Sequence, residues 1–271
     1  MANTRRDRLR QLRREPPPLR TVTVAGHHER SPRLLRLTLA GDGLRDLVVD
    51  QPASSVRLLI PGPGTDRLVM PEWDGNQYLL PTGDRAVLRT FTPLNLDRAI
   101  GRLDLDIVRH PGGAVSGWAE AVTVGAPAAI SGPARGYDLD PAATRLVALG
   151  DETALPALTQ VVAAATHPTD GGAPVAVEAH VEVVAPEAVV AIPESAGWSP
   201  SWHTAEPGAR PGRRLVRVVE GLDPFDEGTR IWAAGEAAAM QAIRTHLFGP
   251  RGLQRSHAEV RGYWKARPAR M

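Results

Sequence analysis

Val87-Leu88-Arg89-Thr90-Phe91-Thr92-Pro93 sets an arginine two residues before an aromatic ring and ends in proline. On an extended chain Arg89 and Phe91 point to one face, Thr90 and Thr92 to the other. A guanidinium fork suits a pyrophosphate. The flat ring of Phe91 can pack against another aromatic system. The hydroxyls and amides around Thr90 and Thr92 can bond the polar edge of a ring or a polyol chain. Pro93 stops the hydrogen-bond ladder. An ordinary strand with one exposed arginine and one buried phenylalanine fits the same seven residues, so the neighbouring stretches decide between the two readings.

Upstream, Thr21-Val22-Thr23-Val24, Leu35-Arg36-Leu37-Thr38-Leu39 and Val56-Arg57-Leu58-Leu59-Ile60 read as short strands. Gly41-Asp42-Gly43 and Pro61-Gly62-Pro63-Gly64 punctuate them as turns. Downstream comes another alternating run, Leu103-Asp104-Leu105-Asp106-Ile107-Val108. Then His110-Pro111-Gly112-Gly113-Ala114-Val115-Ser116-Gly117-Trp118 runs from a Gly-rich loop into a predicted short helix. Glycines admit an anion closely and a helix N-terminus offers it free amides. His110 can add a donor or be a plain surface histidine; Ser116 also suits a helix N-cap. Ala126 to Pro133 is expected to close a small antiparallel barrel.

Composition shifts near Pro141. Leu146-Val147-Ala148-Leu149 reads as a buried strand, Gly150-Asp151-Glu152-Thr153 as a turn, and Ala154-Leu155-Pro156 as a helix start, because proline is tolerated only in a first turn. Thr153 equally suits the N-cap. Val175, Val177, Ala179, Val181 and Val183 keep a strict period of two. Trp198 and Trp202 read as loop anchors, and Leu215-Val216-Arg217-Val218-Val219 as a strand. The strand–turn–helix pattern recurs at Ile231-Trp232-Ala233-Ala234-Gly235-Glu236, with Met240, Ile243 and Leu247 on one helix face. Glu259-Val260-Arg261-Gly262-Tyr263-Trp264-Lys265 is expected as the last edge strand. Strands alternating with helices imply a mostly parallel, Rossmann-like sheet.

The chain has 271 residues, no cysteine and a net charge of +2. That length suits two domains. Missing cysteines exclude disulfides, thiolate zinc sites and cysteine-held iron–sulfur clusters, and fit a reducing cytoplasm. No protein metal site is expected; any iron handled must arrive in a ligand made elsewhere. The small net charge argues against a nucleic-acid partner, and no run is long enough to span a bilayer. The Arg-dense residues 1–18 read as a flexible basic terminus, with a transit peptide or nucleic-acid arm as the other readings. Residues 19–140 are expected to form the antiparallel β-barrel domain and 141–271 the α/β domain.

Together these stretches resemble the siderophore-interacting proteins, flavoprotein relatives of the ferredoxin reductases, from about Leu19 to Lys265. Arg89-Thr90-Phe91-Thr92 resembles that family's Arg-x-aromatic-Thr flavin motif. His110 to Trp118-Ala119 resembles its His and Gly-x-x-Ser-x-Trp-Ala loop, one residue shorter and with Ala114-Val115 for Pro-Ala. Gly150 to Ala157 is the most specific match, and Gly235-Glu236-Ala237 with Gly262-Tyr263-Trp264-Lys265 completes it.

The resemblance implies an FAD domain holding the cofactor at Arg89, Thr90, Phe91, Thr92, His110, Gly113, Ala114, Ser116 and Trp118. It implies that NADPH or NADH binds from about residue 143 onward, with Gly150, Asp151, Glu152, Thr153, Gly235 and Glu236 at its site. Thr92 and Glu152 are the candidate catalytic residues. The expected activity is NAD(P)H-dependent ferric-siderophore reduction by a cytoplasmic monomer, releasing ferrous iron. Arg57, Lys265 and Arg135 are the candidate cations for an anionic chelate, expected between barrel and sheet; ordinary surface cations are the alternative. Two rival functions stay open: a flavoprotein fed by ferredoxin, and a non-catalytic siderophore-binding module. Val183-Val184-Ala185-Pro186-Glu187 holds no cation for a 2′-phosphate, so the choice of nucleotide is open.

Overall fold

A computed structural model describes residues 17–134, 136–168, 172–192 and 197–266. Arg135 and the basic residues 1–16 lie outside the described residues. The chain divides into two compact units. One holds most of the chain to residue 135; the other holds Gly136 onward together with Arg30–Leu34 and Gln51–Ala53.

The first unit contains β1 (Leu19–Ser31), β2 (Leu34–Ala40), β3 (Ser55–Leu59), the short ribbon β4 (Glu72–Trp73) and β5 (Tyr78–Leu79), β6 (Leu88–Phe91), β7 (Leu94–Asp97), β8 (Arg102–Val108), helix α1 (Ala114–Ala121) and β9 (Pro127–Ala134). Seven of these strands form an antiparallel sheet in the order β6-β3-β9-β1-β2-β8-β7. β9 does not close the sheet at its rim. It inserts between β3 and β1, pairing Leu58 with Ile130 on one side and Arg20 with Ile130 on the other. Alternation builds the core: Leu37, Leu39, Leu103, Leu105, Leu58 and Ile130 are fully buried together. Phe91 of β6 and Leu96 of β7, from opposite rims, pack against that same cluster, so the sheet curls round one core. The intervening polar residues of β2 and β8 meet outside it. Arg36 donates to both oxygens of Asp106 (2.7 and 2.9 Å), and Thr38 donates to Asp104 at 2.7 Å.

The second unit contains β10 (Arg145–Asp151), α2 (Leu155–Thr166), β11 (Ala176–Val183), β12 (Ser201–Thr204), α3 (Arg213–Gly221), β13 (Thr229–Glu236), α4 (Ala237–Phe248) and β14 (Ala258–Trp264). Its sheet runs β12-β11-β10-β13-β14 and every pair is parallel. The chain reverses its direction of travel across the sheet between β10 and β13, the switch point at which open α/β sheets bind ligands beyond their C-terminal strand ends. Val147, Leu149, Ile231 and Ala233 face α3 and α4. Gly150 faces α2 so closely that an added Cβ would stand 2.8 Å from the Ala154 Cβ, which explains glycine there. None of the described helices is long and apolar enough to cross a membrane.

Two local expectations are corrected. Leu215–Val219 is helical, not a strand. Leu215 and Val219, four residues apart, are buried, whereas Arg213 and Arg217 are exposed. The deciding cap comes from thirty residues away: both oxygens of Glu182 on β11 accept amides of the helix start, Gly212 N–H at 2.6 Å and Arg214 N–H at 2.8 Å. Trp202 lies in β12, not in a loop, while Trp198 stays outside any strand.

β12 is held to β11 by an imidazole pair as well as by its ladder. His180 Nδ1 lies 3.1 Å from His203 Nε2, His180 Nε2 lies 2.9 Å from Glu178, and Arg145 donates to Glu178 at 2.5 Å. A neutral His180 that donates from Nε2 to the carboxylate accepts at Nδ1 from His203, whereas a protonated His180 donates at both nitrogens. Burial, then His180 and Arg214, hold His203 below the ordinary imidazole pKa. As pH falls below the unfolded value of about 6.5 the unfolded chain therefore binds this proton first, so the stability present above that value is lost on the acid side. His203→Gln should flatten the fall of unfolding free energy below about pH 6.5 in denaturant titrations. Equal slopes for both proteins would show that the pair does not exclude the proton.

Candidate functional site

In the first unit the site residues are set out by β6 and α1. β6 is a rim strand that, among the described strands, pairs with β3 alone, in the register Val56 to Phe91, Arg57 to Thr90 and Leu58 to Arg89. Val56 and Leu58 are core residues, so Phe91 turns inward beside them and is half-buried. Arg89 reaches solvent on the same side; its hydrogen bond is to the carbonyl of its own neighbour Leu88, at 2.8 Å. Arg57 and Thr90 are exposed and sit opposite each other on the other side. The register thus joins Arg57, read from the sequence as a substrate cation, to the cofactor stretch. Thr92 is buried at the end of the strand.

The His110 loop leads into α1. Gly113 is the N-cap residue and supplies no side chain, so the first amides of the helix have no side-chain cap. Ser116 is not the cap. It sits in the first turn, accepts the His110 N–H at 3.0 Å and donates to Glu120 at 3.0 Å, which ties the loop to the helix. The imidazole of His110 lies over Gly113. A Cβ there would stand 2.4 Å from His110 Cε1, so glycine is what lets the exposed ring rest on the helix start. Trp118 packs against the core of the sheet.

In the second unit the candidates gather at the C-terminal ends of β10 and β13. Asp151 is buried. Its Oδ1 accepts the Thr153 amide (2.9 Å) and hydroxyl (2.5 Å), and its Oδ2 accepts the Trp264 indole N–H at 2.7 Å. Burial pushes its pKa up, against the pull of the Thr153 and Trp264 hydrogen bonds. Thr153 is therefore a partner of Asp151; the helix cap is Ala154. Glu152 turns the other way, accepting Arg33 through one oxygen (3.1 and 3.2 Å) and the Val184 amide through the other (2.9 Å). Glu236 caps α4 at Ala238 and Ala239, and its second oxygen accepts the Ala266 amide. Gly235 lies against Asp151: a Cβ there would stand 2.6 Å from Asp151 Oδ2. Lys265 is exposed just past β14. A cavity of about 10 Å³ beside Arg33, Glu152 and Trp202 has room for one water and no cofactor.

Sequence reasoning missed Arg33 and the function of Trp264. Arg33 carried no local signal, since its partner is 119 positions away. Trp264 stood in a matched motif without a chemical task.

Residues 23–137 match the siderophore-interacting FAD-binding domain model, and residues 143–267 match the siderophore-interacting protein model. The crystal structure of a siderophore utilization protein from T. fusca aligns with TM-score 0.77 and 30% identity, covering 95% of this chain and 96% of that one. The siderophore-interacting protein SipS from Aeromonas hydrophila aligns with TM-score 0.71 and 26% identity, over 93% of this chain and 100% of that one. The ferric vibriobactin reductase ViuB of Vibrio cholerae is 31% identical over 138 residues, 49% of each chain. With an FAD-binding sheet domain followed by a parallel α/β unit, the chain belongs to the siderophore-interacting protein family.

Proposed function

We propose that the protein is an NAD(P)H-dependent ferric-siderophore reductase that uses FAD and releases ferrous iron in the cytoplasm. The observation that carries the reading is the rim strand β6: it keeps Phe91 against the core and presents Arg89 outward, within a domain of the FAD-binding family. The residues present fit the cofactor. Arg89 offers a guanidinium whose only bond in the described structure is to an adjacent carbonyl. The uncapped start of α1, with His110 resting on Gly113, offers amides and a ring nitrogen to phosphate. Bound FAD supplies the change from two-electron to one-electron transfer that a nicotinamide donor and a ferric acceptor require.

The chain's own residues have separable tasks. Arg89 and the Gly113–Ser116 helix start hold the pyrophosphate; Thr90, Thr92 and Phe91 hold the ring side. The Gly150–Thr153 turn and Gly235–Glu236 flank the nicotinamide position at the switch point of the parallel sheet. Both oxygens of Glu152 already have partners, so its contribution is to fix that turn against Arg33 and Val184. Arg57 and Lys265 attract an anionic chelate; the names of the vibriobactin reductase and the siderophore utilization protein support a siderophore as the substrate class.

The purified protein should be yellow, and NADPH or NADH should bleach it without oxygen. Arg89→Ala should lose much of its flavin, since a charged hydrogen bond to a desolvated phosphate is worth about 1.5–3 kcal/mol. A fully loaded variant would remove Arg89 from the site. Glu152→Ala should lower the unfolding free energy by about 1–3 kcal/mol, because it leaves Arg33 and the Val184 amide without their acceptor. An unmoved stability with slower flavin reduction would instead put Glu152 in the chemistry. Arg57→Ala and Lys265→Ala should each raise KM for a ferric tris-catecholate, change kcat little and weaken the salt dependence of the rate. Wild-type KM and salt slope in both would make them plain surface cations.

A further inference from the structure

The two acidic residues of the repeated strand–turn–helix elements converge on one short segment. Asp151, at the end of β10, accepts the indole N–H of Trp264 at 2.7 Å. Glu236, at the end of β13, accepts the backbone N–H of Ala266 at 3.1 Å. Lys265 stands between the two held residues, with its own side chain exposed. Both carboxylates are buried, 7% and 4% exposed. Each receives three donors in all: two from Thr153 plus Trp264 for Asp151, and Ala238, Ala239 and Ala266 for Glu236. Three hydrogen bonds occupy most of the acceptor capacity of a carboxyl group.

The backbone is built for this reach. Asp151 must cross β13 to meet β14, and only a residue without a side chain lets it pass, since a Cβ on Gly235 would lie 2.6 Å from Asp151 Oδ2. The ladder between β13 and β14 then slips. Gly235 pairs with Gly262 but Glu236 pairs with Trp264, so Tyr263 is an extra residue on the edge strand. Such a bulge bends a strand and re-aims the side chains that come after it. The bend directs Trp264 back to Asp151 and delivers the Ala266 amide to Glu236.

We propose that Asp151 and Glu236 are positioning residues that clamp the Trp264–Ala266 segment and so aim Lys265 at the anionic chelate, making the clamp a determinant of charge selectivity. This rests on the proposed function, in which Lys265 receives the chelate. A lysine on an unheld chain end spreads its charge over many positions, and ordering it on binding opposes affinity. Holding the backbone on both sides removes part of that cost beforehand. A neutral chelate gains nothing from an aimed cation, so the clamp favours anionic ligands alone.

The test removes the donors and leaves both carboxylates in place. Trp264→Phe keeps the ring and loses the N–H; Ala266→Pro loses the other N–H without touching the Glu236 cap of α4. Calorimetric titration of the flavin-loaded protein with gallium(III) tris-catecholate and with a neutral gallium(III) trihydroxamate reads affinity without turnover. Each variant should bind the anionic complex about fivefold more weakly, the effect of one net hydrogen bond, and the neutral complex unchanged. In a Lys265→Ala background, Trp264→Phe should add no further loss, because the clamp acts through the lysine. The proposal is overturned if the two complexes weaken alike, if Trp264→Phe acts equally with and without Lys265, or if both clamp variants bind as wild type while Lys265→Ala alone weakens the anionic complex. If Lys265→Ala itself leaves anionic affinity unchanged, Lys265 is not in the chelate site, and both that reading and the clamp fall.

Discussion

A carboxylate taken out of water must be met by donors, and at the end of β10 that requirement shapes the second unit. Asp151 cannot be left bare in a buried position without a large desolvation penalty. Thr153 answers from the turn and Trp264 answers from the sheet edge. For those bonds to form, Gly235 must make way for the carboxylate and β14 must bulge at Tyr263. Three otherwise unconnected features of the sequence, a glycine, a threonine and a tryptophan, thus answer to one buried carboxyl group.

The first unit answers to a different constraint, the parity of β-strands. Every other residue of β2 and β8 enters a common core, and the residues between them pair as Arg36–Asp106 and Thr38–Asp104. The same parity acts on the rim strand β6. Because Phe91 faces inward opposite Val56, Arg57 and Thr90 share the opposite side as cross-strand neighbours. A substitution that shifted this register by one residue would bury Thr90 and expose Phe91.

Strand parity is also what made much of the fold legible. Leu35–Leu39 and Leu103–Val108 lie in strands of the structure, the alternating run from Val175 forms the strand Ala176–Val183, and Pro156 marked the start of α2. The misreading at Leu215–Val219 came where period two and period four coincide in a β-branched run. There a distant group, Glu182, settles the matter by capping α3, and no window of sequence contains both partners. β12 has four residues and is tied by a histidine pair 23 positions apart, so Trp202 gave no strand signal of its own. In the site, the residue types were legible because guanidinium, glycine and carboxylate carry their chemistry locally. Their assignments were less so. Asp151, Thr153 and Glu236 are read as cofactor residues from the motifs, and what those motifs do not announce is that each side chain also has a partner within the chain.

That difference separates two kinds of motif residue. Arg89, His110 and Lys265 are exposed, and none is bonded to a carboxylate in the described structure. Asp151, Glu152 and Glu236 are buried and each already accepts three internal hydrogen bonds, which leaves at most one acceptor position for a ligand. A buried hydrogen bond lost without replacement costs about 1–3 kcal/mol, comparable with what a single new contact to a ligand returns. The exposed basic residues thus keep their cationic groups clear of any internal carboxylate, which suits the ligand-facing role proposed for them. The buried acids are instead bonded to backbone and side-chain donors of the second unit. Motifs that read as a single cofactor signature divide, on physical grounds, into exposed basic groups without an internal carboxylate partner and buried acids held by several internal donors.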